Sequence, residues 1–109
     1  VIRDSVDAFL LVGSRTSCER AAKTAAQHAL LKLGDAKPRL ALVLVDVAWQ
    51  MLLKAQPGAE IAAVQEILGD TVPVAGGYTL GQVVTGENET KPKFLNQHII
   101  VIVFGEPKE

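Results

Sequence analysis

Apolar residues fall in this chain at two kinds of spacing. Ala8–Val12, Leu40–Val45 and Ile99–Phe104 are short continuous apolar runs. They predict strands buried on both faces, because such strands need no polar alternation. Elsewhere the apolar residues recur at three- and four-residue steps. Cys18, Ala21, Ala22, Ala25, Ala29 and Leu33 line one face of a helix running from an N-cap at Ser17 to about Leu33. Arg20 stands where a capping box wants Glu or Gln, Glu19 suits the helix dipole, Gly34 closes the helix and Pro38 blocks its continuation. Ile61, Val64, Ile67 and Leu68 mark a second helix over Glu60–Leu68, ended by Gly69. Ala48–Lys54 reads as a short helix or turn anchored by Leu52 and Leu53.

A strand at 8–12, the alanine-faced helix and the strand at 39–46 form a βαβ unit, with the two strands parallel. The pattern predicts an α/β fold: a mixed sheet of about five strands with two main helices, as a single domain over residues 1–109. The last strand, Ile99–Phe104, is expected to be central or covered on both faces.

Val72–Val84 departs from simple packing. Val72 and Val74 begin a strand, with Pro73 placed where a missing N–H does little harm. Gly76 and Gly77 then remove all side chain for two residues, which frees the backbone to bend or lets another backbone or a ligand come close. Tyr78 and Thr79 bring hydroxyls to that bare spot, and Gly81-Gln82 adds one amide before Val83-Val84 resumes the strand. The stretch reads either as a tight bend with Tyr78 capping the core or as the lining of a ligand site. Thr85–Lys93 is a polar, solvated loop.

The chain is 49% apolar and 21% charged, which places it with globular domains. Only 5% is aromatic, so the core must be aliphatic. A net charge of −1 counts against nucleic acid or an anionic membrane as the main partner. No apolar run is long enough for a membrane-spanning helix, and no signal peptide is expected, since no charged n-region and apolar h-region stand at the start. One cysteine makes no internal disulfide, so a reducing, cytoplasmic setting is expected. The first residue is Val, and the chain is expected to be a piece of something longer.

Candidate chemistry is sparse. His28, His98 and Cys18 show none of the short metal-ligand spacings. Ser14, Thr16 and Ser17 at a helix start could hold an anion, but cap the helix equally well. Cys18 could be activated by the first helical turn, but its alanine-rich face argues for an inert, buried thiol. No nucleophile–base pair can be placed, so neither an enzyme nor a cofactor is expected. The polar set left over is Asp46, Trp49, Gln50, Tyr78, Thr79, Gln82, Asn96 and Gln97. Asp46 falls at the carboxyl end of its strand, where α/β sheets bind ligands, or it caps the turn that follows. Trp49 beside it walls a pocket or fills the core. Neutral amides and hydroxyls with one ring suit recognition of a small polar molecule better than proton transfer.

Two motifs here resemble a known family. Pro73-Val-Ala-Gly76-Gly-Tyr78-Thr79-Leu-Gly81-Gln82, then Phe94-Leu-Asn96-Gln97-His leading into Ile99–Val103, is similar to the C-terminal part of FIST domains. These are sensory domains of prokaryotic signal-transduction proteins, also found in some F-box proteins. The similarity extends over about Ser17 to Phe104. It implies a non-catalytic domain that binds a small polar ligand, an amino acid or similar, and signals to an effector domain. It places the ligand at Gly76, Gly77, Tyr78, Thr79 and Gln82, with Asn96 fixing the facing strand and Asp46 and Trp49 nearby. The family's Gly-Glu is Gly81-Gln82 here, and its Ser-Cys-x-Gly-Arg-like turn reads Val45-Asp-Val-Ala-Trp-Gln50, so charges are missing. The resemblance also implies that the N-terminal half of a full module is not part of this sequence. The alternative is a protein-interaction or oligomerisation module with no small-molecule pocket, motivated by the small alanine face and the two strongly apolar strands.

Overall fold

The computed structural model describes residues 13–86 and 88–108. The expected strand at 8–12 lies outside the described residues. Three helices and five strands are seen in the order α1 (Arg15–Leu33), β1 (Lys37–Asp46), α2 (Ala48–Leu52), α3 (Ala59–Leu68), β2 (Val74–Thr79), β3 (Gln82–Val84), β4 (Lys93–Leu95) and β5 (Ile99–Glu106). The fold is α/β. A mixed three-stranded sheet runs β2-β1-β5, with β2 parallel and β5 antiparallel to β1, and β3 and β4 form a separate two-stranded ribbon. The described parallel pair is β1 and β2, joined through α2 and α3.

Helix α1 starts three residues before the sequence pattern suggests. Ser14 is the N-cap, and Ser17 completes the capping box: the Ser17 amide donates to Ser14 Oγ (3.2 Å) and the Ser14 amide to Ser17 Oγ (2.9 Å). A serine at the third position thus does what Glu would do. The buried stripe is Cys18, Ala22 and Ala26, while Ala21 is exposed. The stripe lies against α3, whose buried small residues are Ala59 and Ala63. Alanine on both sides lets the two helices come close, and Lys23 and Glu66 pair across the seam at 3.0 Å. Gln65 fastens the end of α3, its amide donating to Gly69 O (2.7 Å) and Val72 O (2.8 Å).

In the three-stranded sheet only the face toward the helices is well covered. Ala41, Val43 and Val45 are buried there, with Val101 and Val103 of β5 packed beside them. The opposite face carries Leu40, Leu42, Leu44, Ile100, Ile102 and Phe104, which pair across β1 and β5. Leu40, Ile102 and Phe104 are exposed, Phe104 by 49%. The two-sided burial expected of β1 and β5 is therefore not seen. An apolar run shows that both faces are apolar, not that both have a covering layer. Among the described strands, β5 stands at the end of the sheet rather than at its centre.

Candidate functional site

Gly76-Gly77 is not a bend; it lies inside β2. A Cβ on Gly76 would sit 1.8 Å from the carbonyl oxygen of Val43, and its φ of +154° is one that side chains rarely adopt. The missing side chain makes room for the backbone of β1. At Gly77 a Cβ would meet nothing within 4 Å. The close approach that the sequence suggests is thus one strand on another at Gly76, and open space at Gly77.

The parallel register sets Gly76 beside Val43 and Tyr78 beside Val45. Tyr78 therefore points to the helix side of the sheet. There its hydroxyl donates to Glu60 Oε1 at 2.5 Å. Glu60 sits in the first turn of α3 and is 1% exposed. Its second oxygen, Oε2, is buried with no hydrogen-bond partner. A buried polar atom left unsatisfied costs about 1–3 kcal/mol, and more when charged. The bond to Glu60, then burial and the carboxylate's charge, push the Tyr78 hydroxyl up to about 12, while Gln50 pulls the other way. Tyr78 is thus a proton donor at neutral pH, not a base. Burial, then the charge of Glu60, also raises the Cys18 thiol, which suits the inert reading.

Glu60 and Tyr78 line a cavity of about 200 Å³ with Val43, Val45, Ile61, Val74 and the Ala75–Gly77 stretch of β2. That is below the roughly 300–1,000 Å³ typical of sites for drug-sized ligands, so its occupant must be small. Among the described strands β2 stands at the end of the sheet, and its residues 74–78 line the cavity. Tyr78 also borders a second cavity of about 220 Å³, lined by Gln50, Leu53, Lys54, Pro57 and Gly58.

The other candidate residues lie elsewhere. Asp46 is buried, and its Oδ1 accepts from the Ala48 amide at 2.9 Å, capping the turn into α2. Trp49 is 3% exposed and belongs to the core cluster. Gln82 is buried at the carboxyl end of β1, its amide donating to Leu44 O (2.9 Å) and more weakly to Thr79 Oγ1 (3.5 Å). Gln82 and Thr79 thus tie the ribbon to the sheet. Asn96 lies in the exposed turn before β5, where its carbonyl accepts from His98 Nδ1 at 2.7 Å.

Of the eight site candidates, Gly76, Gly77 and Tyr78 share one cavity, and sequence reasoning missed its key partner. Glu60 looks like an ordinary first-turn acid, and its neighbours Ala59 and Ile61 do not mark it as buried. Among the described residues no group of three or more His, Cys, Asp or Glu is arranged to hold a metal, and no helix is long and apolar enough to cross a membrane.

No family model, curated protein or solved structure matches this chain.

Proposed function

We propose that this chain is a non-catalytic, cytoplasmic sensory domain that binds a small polar ligand and passes its occupancy to a signalling effector. The observation that carries this is the buried Glu60 carboxylate, on a residue that lines a cavity: one oxygen holds Tyr78, and the other is buried with no partner. Buried polar groups are nearly always satisfied, so an orphaned carboxylate oxygen on a cavity-lining residue suits a site that a ligand completes. Tyr78 walls the cavity with its ring and steadies Glu60 with its hydroxyl. The raised Tyr78 and Cys18 both stay protonated at neutral pH, which favours recognition over proton abstraction or nucleophilic attack. The resemblance of Pro73–Gln82 to the FIST motif supports the same reading.

Native mass spectrometry of the purified chain, followed by denaturation and small-molecule identification, tests it. The expected result is a molecule retained at about one per chain and lost in Tyr78→Ala. Retention unchanged in Tyr78→Ala would remove the cavity from the proposal.

A second reading, a protein-interaction module, is favoured by a different observation. The alanine stripe of α1 is already covered by α3, but Leu40, Ile102 and Phe104 leave an apolar sheet face exposed. Sedimentation over a range of concentrations tests it: concentration-dependent association abolished by Phe104→Ser would favour this module.

A further inference from the structure

We propose that the cavity beneath β2 takes a small aliphatic primary ammonium, whose N–H group meets Glu60 Oε2; this rests on the small-ligand reading above. The acceptor is a carboxylate oxygen, so its complement is a donor. Tyr78 already occupies the other oxygen at 2.5 Å. That bond orients the carboxylate, and Oε2, on a residue that lines the cavity, is left buried without a partner. Glu60 is 1% exposed, so a ligand that reaches it leaves water behind. A charged donor then gains most, because charge-assisted hydrogen bonds are the stronger kind and a buried unpaired charge is neutralised.

The walls select the rest of the molecule. Val43, Val45, Ile61 and Val74 are aliphatic and suit a short branched hydrocarbon. Among the described residues lining this cavity none is basic. Lys54 lines instead the second cavity that Tyr78 borders. A zwitterionic amino acid would therefore carry its carboxylate beside Glu60 with no cation lining the same cavity. A simple amine is the better fit, which departs from the amino acid that the FIST resemblance implies.

A matched series tests this on the whole chain: isobutylamine, isobutanol, isobutyrate and valine, titrated at pH 7 and read from the amide NMR shifts of Gly76, Gly77 and Tyr78. Isobutylamine should bind at least about tenfold more tightly than each of the other three. In Glu60→Gln its affinity should fall about tenfold or more, while the melting temperature of the ligand-free variant is equal to or above that of the parent. That variant keeps an acceptor for Tyr78 and removes the unpaired charge. Isobutanol or valine binding as tightly as the amine would overturn the ammonium assignment and leave the small-ligand reading standing. Shifts unaffected by Glu60→Gln would do the same. If none of the four probes moves these amides and native mass spectrometry returns the bare chain, both readings fall. The comparison among probes needs no variant, so a Glu60→Gln chain that failed to fold would not shield the proposal.

Discussion

The Tyr78 hydroxyl donates to Glu60 at 2.5 Å, joining strand β2 to the first turn of α3 across eighteen residues of chain. Removing the hydroxyl leaves both oxygens of a buried carboxylate without a partner. Tyr78→Phe should therefore destabilise the fold by about 1–3 kcal/mol, although the ring is kept. The double variant with Glu60→Gln should recover part of that loss, because the buried charge is gone. Urea unfolding of the four chains in the cycle measures the coupling; additive losses would mean that the pair is not formed.

The same pair has a pH signature. Tyr78 is held up to about 12, against an ordinary 10.0. The folded state thus binds this proton more tightly than the unfolded chain does. The resulting stabilisation is fully present below pH 10 and disappears as the pH rises from 10 through about 12. The chain has one tyrosine, so tyrosinate absorbance at 295 nm reports this group alone. The midpoint should lie well above 10 and move down in Glu60→Gln. A midpoint at 10 in the parent, measured while the chain is still folded, would contradict the geometry.

The two central glycines should behave in opposite ways. Gly76→Ala drives a Cβ to 1.8 Å from Val43 O at a backbone angle that alanine resists. A loss above about 3 kcal/mol, or a chain that does not fold, is expected. Gly77→Ala meets open space. It should be neutral, or stabilising by up to about 1 kcal/mol through the unfolded chain. Thermal melts of the two variants decide it, and equal losses would refute the register that places Gly76 against Val43.

Cys18 should be slow to react. It is 5% exposed on the face of α1 that meets α3, and burial with the Glu60 charge raises its thiol. Its reaction with a disulfide reagent at pH 8 should run at least about a hundredfold slower in the folded chain than in urea. A native rate close to the unfolded one would show that the seam between α1 and α3 opens freely.

How much of this was legible in the sequence varies from element to element. Helices α1 and α3 could be read from three- and four-residue apolar spacing and their closing glycines, because those signals are local. The start of α1 was misplaced because two serines three residues apart can cap in place of serine and glutamate. Both apolar strands were recognisable, but their covering was not: Val43 and Leu44 look equally apolar, and only the placement of α1 and α3 on one side buries Val43 and leaves Leu44 partly open.

The candidate site divides the same way. Local composition was enough to single out Gly76, Gly77 and Tyr78, since paired glycines and a lone tyrosine in a strand are unusual in themselves. Glu60 was beyond reach, because its burial comes from β2 lying parallel to β1 and turning Tyr78 toward α3. By itself the sequence determined which segments are helical or extended and where the backbone is bare. The tertiary structure alone decided which acid is buried, which of its oxygens stays unpaired and which apolar face is left uncovered. Secondary structure follows from the order of neighbours along the chain, whereas burial and pairing depend on residues that only the folded sheet and helices bring together.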